Sequence, residues 1–250
     1  MGWGILIISI FGVFCAFVIL QATFAQRSWR KLVNQGDEWA IRSLLEEEID
    51  RWRRMRVPKG QSPTLWRGLG TTQVVSVGAD FVHVAARAEG DYQIVDGRQR
   101  EVSSPFDEGV KLAAALIERC FYDIPNVRPR IVRVDIYTTF RNEDGVPEQK
   151  CILTTTGTRA VATGLPWEDL RPIEILSRFN TRYRIGKNGE AVPIDPGPPL
   201  SDEDDLDALA SAAATDTEAR AAIDAAEQLI AGRRNESDDP PSAIGPSAGA

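Results

Sequence analysis

Histidine and cysteine are scarce in this chain, which has one histidine and three cysteines in 250 residues. A single histidine, His83, gives little support to a histidine-rich metal site or to a Ser-His-Asp array. The cysteines, Cys15, Cys120 and Cys151, form no C-x-x-C pair and no even-numbered disulfide framework. Their apolar surroundings predict that they are small buried hydrophobic residues. We therefore expect no metal and no cofactor.

A surplus of positive charge is missing from the part of the chain with a globular composition. Residues 61–200 carry 17 basic and 18 acidic side chains. Residues 27–60 have a net charge of +3, and residues 201–250 have a net charge of −9. A nucleic-acid-binding domain usually carries a clustered basic surface. We therefore expect no nucleic-acid partner.

Charged residues are absent from the first 26 positions. Residues 3–25 are almost wholly apolar, and as a helix they would span about 35 Å, which exceeds the hydrocarbon core of about 30 Å. A lone segment can satisfy its backbone polar groups in a bilayer only as a helix. The sequence therefore predicts one N-terminal transmembrane helix over residues 1–26, the single span of an integral membrane protein.

The residues that flank this span predict its orientation. Lys and Arg follow the span and none precedes it, so the positive-inside rule places the rest of the chain in the cytoplasm, with the protein held in the cell membrane. The alternative is a signal peptide cleaved near Ala25, which would make the domain a secreted or envelope domain. Residues predicted to lie at the membrane interface are Trp3, Arg27, Trp29, Arg30, Lys31, Arg51, Arg53, Arg54 and Arg56.

Residues 27–60 are predicted to be a juxtamembrane region built around a basic amphipathic helix over residues 37–56. Acidic residues begin this segment and four arginines end it, which complements the helix dipole. Its apolar stripe predicts packing on the following domain or on another copy of the chain, whereas the arginines favour contact with anionic headgroups. The stripe consists of Ile41, Leu44, Leu45, Ile49, Trp52 and Met55.

Residues 61–195 are predicted to form one soluble α+β domain with a mainly antiparallel sheet. Runs rich in Val, Ile, Tyr and Phe predict a meander of strands over residues 72–77, 81–87 and 91–95. Ser104, Pro105 and Asp107 are typical of a helix start. That helix is expected to bury a face that continues to Ile124.

Further elements are predicted in the second half of this domain. Residues 130–140 and 149–156 alternate in polarity around Asp144-Gly145, which predicts a hairpin. We interpret residues 159–163 as another strand and residues 172–179 as a short helix. Residues 182–185 and 190–194 predict a final hairpin.

One group of residues resembles a catalytic motif. Asp135 followed by Glu148-Gln149-Lys150 on the next strand resembles the PD-(D/E)xK nucleases, over roughly residues 105–185. The resemblance implies that the two carboxylates hold a divalent metal while Lys150 polarises the attacking water. The sequence departs from the motif because Val134 stands where the proline is expected and because Glu148 lies at the mouth of the hairpin. Solvated hairpin charges explain the same residues.

The last region, residues 196–250, is predicted to be a proline linker followed by an acidic tail. Pro196, Pro198 and Pro199 predict the end of the globular part. The tail is expected to be mostly disordered, with short helices over residues 202–214 and 216–231. Thin apolar faces on these helices are predicted to bind a protein partner. Their residues are Leu206, Leu209, Ile223, Leu229 and Ile230.

Taken as a whole, the sequence favours a non-enzymatic adaptor or assembly subunit. Its cytoplasmic α+β domain and tail would contact protein partners or another copy of the chain. The alternative from a different class is a membrane-tethered metal-dependent hydrolase that acts through Asp135, Glu148 and Lys150.

Overall fold

The structure, a computed structural model, describes residues 35–204 with short gaps, together with seven residues outside that range. The gaps are residues 61–62, 96–97, 143, 188 and 203, and the additional residues are 12, 14, 16, 17, 32, 33 and 208. No helix within these residues is long and apolar enough to cross a bilayer. Almost all of the predicted transmembrane segment lies outside the described residues, as do Trp3, Arg27, Trp29, Arg30 and Lys31.

Five helices and seven strands have described bounds, all of them within residues 38–183. The helices are α1 (Glu38–Arg54), α2 (Pro63–Gly70), α3 (Pro105–Tyr122), α4 (Arg159–Thr163) and α5 (Pro172–Leu176). The strands are β1 (Gln73–Val77), β2 (Phe81–Arg87), β3 (Asp91–Val95), β4 (Arg98–Ser103), β5 (Ile131–Arg141), β6 (Pro147–Thr158) and β7 (Asn180–Tyr183).

Five of the strands form one sheet in the order β1-β2-β5-β6-β7. Strands β2 and β5 pair in parallel, and the other neighbours in this sheet are antiparallel. Strands β3 and β4, which lie between β2 and α3 in the sequence, form a separate antiparallel ribbon. The predicted α+β class with a mainly antiparallel sheet is confirmed.

Helix α3 has the boundaries that its sequence predicts. The Ser104 hydroxyl accepts a hydrogen bond from the Asp107 N–H at 3.1 Å, and the Asp107 carboxylate accepts one from the Ser104 N–H. This capping box satisfies two backbone N–H groups at the helix start. Cys120 and Phe121 lie on the buried face. Because α3 packs against β5 and β6, it covers one face of the main sheet.

Helix α1 is part of the hydrophobic core, so its predicted stripe packs on the domain. Asp37 caps the helix, and Ile41, Leu45, Ile49 and Trp52 are buried with the apolar residues of the sheet and of α3. Met55, at the end of the predicted stripe, is exposed. Burying a large apolar side chain contributes about 1.5–3 kcal/mol, so these four residues attach α1 firmly to the rest of the fold.

An arginine from α3 holds the first two helices together. The Arg119 guanidinium lies 5.5 Å from the ring centre of Trp52 on α1 and 5.4 Å from that of Trp66 on α2. A cation between two aromatic rings adds electrostatic attraction to the apolar contact. Helix α2 is an element that the sequence analysis did not predict, because its two glycines at positions 68 and 70 weaken the helical pattern.

The predicted hairpin is confirmed in the strands β5 and β6. Gly145 adopts a φ of 76° in the turn, which L-residues with a side chain rarely adopt. Strand β6 is longer than predicted, whereas β5 has the predicted length and begins one residue later. One bulge between Ile136 and Tyr137 shifts the register of the two strands.

One predicted strand pairing and one predicted strand are wrong. Strand β3 pairs with β4 rather than with β2, because β5 occupies the second edge of β2. Residues 159–163 form helix α4 rather than a strand. The Thr158 hydroxyl accepts a hydrogen bond from the Val161 N–H, and the Arg159 side chain donates to carbonyls outside the sheet, so the strand ends at Thr158.

The predicted final hairpin is present only in part. Strand β7 pairs with β6, and beyond it a single bridge joins Ile185 to Ala191. The chain from Ile194 onward crosses back over the sheet instead of forming a second strand, as described below.

Candidate functional site

A cluster of buried polar side chains occupies the sheet face opposite to α3. Successive residues of a strand point to opposite faces. Ile136 contacts α3 near Gly109, so Asp135 points away from that helix. The register places Arg133 beside His83 of β2 and Asp135 beside Thr154 of β6. We call His83, Arg133, Asp135 and Thr154 the polar cluster.

Asp135 is the centre of this cluster. Its Oδ1 accepts hydrogen bonds from Arg133 Nε at 3.0 Å and from Thr154 Oγ1 at 2.5 Å. Its Oδ2 lies 2.9 Å from His83 Nε2 and 3.3 Å from Arg133 Nη2. A carboxylate has about four lone-pair sites, so the hydrogen bonds within the cluster use its full accepting capacity.

The surroundings of Asp135 act on its charge in opposite directions. Burial raises the pKa of the carboxyl group, but the hydrogen bonds from His83 and Thr154 and the positive charge of Arg133 outweigh burial and lower the pKa below its usual value. The carboxylate therefore remains ionised at neutral pH beside Arg133. Removing one partner of such a buried pair typically costs about 3–5 kcal/mol, because the other charge is left without compensation.

The polar cluster is covered by residues 194–200, which we call the strap. The Arg133 guanidinium donates to the carbonyl of Pro198 at 2.8 Å and to that of Pro196. Arg182 of β7 donates to the same Pro196 carbonyl at 2.8 Å. Residues 196–200, which the sequence analysis assigns to a linker, therefore pack on the sheet.

Both ends of the strap are held as well. At its start, the Ile194 N–H donates to the Cys151 carbonyl at 2.9 Å. At its end, Ser76 donates to the Leu200 carbonyl at 2.7 Å, and the buried Leu200 side chain packs against Phe81 and Ile131. The strap is thus fixed by apolar packing and by hydrogen bonds that side chains of β1, β5 and β7 donate to its carbonyls.

The contact between His83 and the strap assigns a tautomer to the imidazole. The Leu200 N–H donates to His83 Nδ1 at 3.4 Å, so Nδ1 carries no proton. The proton of the neutral ring is then on Nε2, which donates to Asp135. His83 therefore links the carboxylate in the sheet to the backbone of the strap.

The residues of the nuclease-like motif do not converge. Asp135 faces Thr154 in the β5–β6 register, whereas Glu148 faces Phe140. Five residues along a strand correspond to roughly 17 Å, and a shared metal ion needs ligand oxygens within about 2.6 Å of it. Glu148 is exposed and pairs with Lys150 at 3.1 Å. Among the described residues, no group of three His, Cys, Asp or Glu side chains has metal-binding geometry.

The predicted membrane-interface arginines differ in their surroundings. Arg51 pairs with Glu48 at 2.8 Å, and Arg54 donates to the backbone carbonyl of Asp50. Arg53 turns toward the start of β1 and donates to two backbone carbonyls there. Arg56 is exposed beyond the end of α1. The partner-binding residues predicted in the tail, Leu206, Leu209, Ile223, Leu229 and Ile230, lie outside the described residues.

The two described cysteines are placed as predicted. Cys120 is buried in α3 and Cys151 is buried in β6. Burial raises the pKa of each thiol to about 12. A thiol with such a pKa is a poor nucleophile at neutral pH.

The sequence analysis did not find the polar cluster as a unit. In β2 and β5, polar residues alternate with Val and Ile, so His83, Arg133 and Asp135 each fall on one face of their own strand. That alternation could have indicated a sheet face with buried polar groups. It could not have indicated that β2 and β5 are neighbours, because the two strands are far apart in the chain.

Comparisons with known proteins add little to this geometry. No family model matches the chain, and no curated protein matches it. One solved structure, the C-terminal domain of the sex pheromone staph-cAM373 precursor from Staphylococcus aureus, is similar over 32% of this chain at 13% identity and a TM-score of 0.23. This chain spans about a quarter of that structure's length, since the match covers 26% of it. So small a likeness carries no argument about fold or function.

Proposed function

We propose that the protein is a membrane-anchored adaptor or assembly subunit. A single N-terminal span would hold it in the cell membrane, and its cytoplasmic α+β domain and acidic tail would bind protein partners. The proposal rests mainly on the hydrogen bonds from Arg133 to the strap, because they hold the start of residues 196–250 on the sheet.

The polar cluster suits a structural role. The hydrogen bonds within the cluster use the full accepting capacity of Asp135, and Arg133 binds both Asp135 and the strap. A buried polar network with satisfied members makes a structure rigid and specific. A fixed starting point limits the volume that the tail can reach. The effective concentration of the tail near a partner bound to the domain is therefore higher, which is useful to an adaptor.

The position of α1 supports a short connection between membrane and domain. This helix is part of the core, and it begins 13 residues after the predicted apolar segment ends at residue 25. An extended chain of that length reaches at most about 45 Å. A domain on so short a connection stays close to the bilayer surface.

The β3–β4 ribbon offers a second surface for partners. Ile94 is 81% exposed, Val102 55% and Tyr92 48%. Exposed apolar groups that lie together are common at protein-protein interfaces. The ribbon and the tail are therefore the two places where we expect partners to bind.

Affinity capture from solubilised membranes in mild detergent tests the proposal. The full chain is compared with a chain that ends at residue 204, which keeps the strap, and with Tyr92→Ser/Ile94→Ser. Val146→Ser serves as the control, since Val146 is an apolar residue that is 55% exposed outside the ribbon. We expect the same proteins to be captured repeatedly by the full chain and the control, and to be lost in one of the two test chains. Equal capture by all four chains contradicts the proposal.

The anchor and its orientation are tested separately. The full-length protein should sediment with membranes after a carbonate wash, and trypsin added outside intact spheroplasts should leave the domain uncut. Recovery of the uncleaved chain in the soluble fraction would contradict the anchor. Digestion from outside would favour the secreted or envelope alternative.

A further inference from the structure

Two adjoining cavities lie between α1, α2 and the end of β2. They have volumes of about 420 and 370 Å³, and both are lined by Arg53, Arg87, Gly70 and Thr71. The second cavity is also lined by Arg67 of α2. Sites for small ligands are typically concave and of this size. We call the surface formed by Arg53, Arg67 and Arg87 the arginine groove.

The orientation of Arg53 is fixed by the fold. Its Nε donates to the Gly70 carbonyl at 3.0 Å, and its Nη2 donates to the Thr72 carbonyl at 2.8 Å. Its Nη1 pairs with Asp50 at 2.8 Å. A guanidinium has five N–H groups, so these contacts leave two for a ligand. Because the backbone positions it, Arg53 needs little ordering when a ligand binds.

The other two arginines differ in their acidic partners. Arg67 donates to the Thr64 hydroxyl at 3.2 Å and has no acidic partner among the described residues. Arg87 lies 3.2 Å from Glu89 through its Nε, and both side chains are partly exposed to solvent. Three cations thus converge on one concave surface where Asp50 and Glu89 supply two negative charges. Like charges gathered in this way favour the binding of an anion.

We infer that the arginine groove binds a phosphate group, and that a phospholipid headgroup is its source. Guanidinium groups match phosphate oxygens with paired, charge-assisted hydrogen bonds. The inference of the source rests on the proposed membrane anchor. It differs from the sequence prediction in its residues, since Arg67 and Arg87 lie outside the helix to which headgroup contact was assigned.

The position of the groove along the chain supports the lipid source. Arg53 lies in the last turn of α1, and the exposed Arg56 follows it. Each basic residue near an anionic surface contributes about 1 kcal/mol. Arg56 would therefore add to the attraction of the arginine groove for an anionic surface.

The full chain in a neutral maltoside detergent provides the test. Short-chain phosphatidylglycerol, short-chain phosphatidylcholine and inorganic phosphate are titrated in separate arms, and bound molecules are counted by native mass spectrometry. Arg67→Gln/Arg87→Gln is the test variant. Arg128→Gln/Arg141→Gln is the control, because it removes two exposed arginines from other parts of the domain.

We expect the test variant to bind phosphatidylglycerol at least tenfold more weakly than the wild type and the control, with no difference for phosphatidylcholine. Equal phosphatidylglycerol binding by wild type and variant would overturn the site. Binding of inorganic phosphate as tight as that of phosphatidylglycerol, and weakened to the same degree in the test variant, would overturn the lipid source and leave the phosphate chemistry in place. Because the lipids are dispersed in detergent, this experiment can detect lipid binding by the groove even if the membrane sedimentation experiment contradicts the anchor.

Discussion

His83 Nε2 lies 2.9 Å from Asp135 Oδ2 across two parallel strands, and this contact joins the two halves of the sheet. The strands are separated in sequence by the β3–β4 ribbon and α3. The same carboxylate binds Arg133, which in turn holds the strap. One buried anion therefore organises a strand pairing and the exit of the tail.

Replacing Asp135 with Ala should destabilise the domain strongly. The change leaves the Arg133 guanidinium buried without its carboxylate, which costs about 3–5 kcal/mol in comparable cases. The free energy of unfolding from urea titration measures the effect. Glu148→Ala is the matched control, and it should change stability by less than about 0.5 kcal/mol because Glu148 is exposed. An equal loss of unfolding free energy in both variants would mean that the polar cluster does not stabilise the domain.

The stability of the domain should depend on pH through Asp135. Its folded-state pKa lies below the usual 3.8, so its contribution is present above pH 4 and is lost as the pH falls through the lowered pKa. The difference in unfolding free energy between wild type and Asp135→Asn should therefore shrink as the pH falls below about 4. A difference that stays constant over this range would show that the carboxylate is not stabilised by folding.

The strap should be required for stability, whereas the tail beyond it should not. A chain that ends at residue 204 keeps the contacts of Arg133 and Leu200, but a chain that ends at residue 195 loses them. We expect the shorter chain to unfold at lower urea concentration and the longer one to match the wild type.

A point variant tests the same contact without truncation. Leu200→Ala should cost about 2–5 kcal/mol, because Leu200 is 5% exposed and packs on Phe81 and Ile131. Val146→Ala, at a site that is 55% exposed, should be nearly neutral. If Leu200→Ala is also neutral, the strap does not hold the sheet in solution.

Trp52 provides a test of whether α1 belongs to the domain. Its side chain is 1% exposed, and its indole N–H donates to Glu48 at 3.1 Å. Trp52→Ala should lower the unfolding free energy by about 3–5 kcal/mol. Met55→Ala, three residues further on and 46% exposed, is the control. A loss no larger than that of the control would indicate that α1 is separate from the core.

The thiols of Cys120 and Cys151 should be unreactive in the folded protein. Burial raises both pKa values to about 12, so only about one thiol in ten thousand is ionised at pH 8. In a Cys15→Ser chain, iodoacetamide should label neither residue until denaturant is added. Rapid labelling of one cysteine without denaturant would contradict this expectation and show that the core around that cysteine becomes accessible to solvent in the folded protein.

Short sequence signals predicted the elements whose defining contacts join residues close together in the chain. The capping residues Ser104 and Asp107 gave the start of α3, and the Asp144-Gly145 turn gave the β5–β6 hairpin. The prediction of a strand over residues 159–163 is wrong, since the apolar content of this segment suits either a strand or a helix. The Thr158 cap decided between them.

The amino-acid sequence by itself determined the class of the domain, the stripe of α1 and the burial of two cysteines. These properties depend on periodicity and on capping within a few residues. Only the tertiary structure decided that β2 pairs in parallel with β5, that Asp135 is the centre of a buried polar cluster while Glu148 lies several residues away along the hairpin, and that Arg133 holds the strap. Those contacts join residues 50–65 positions apart, and the pairing that brings them together depends on packing of the whole sheet.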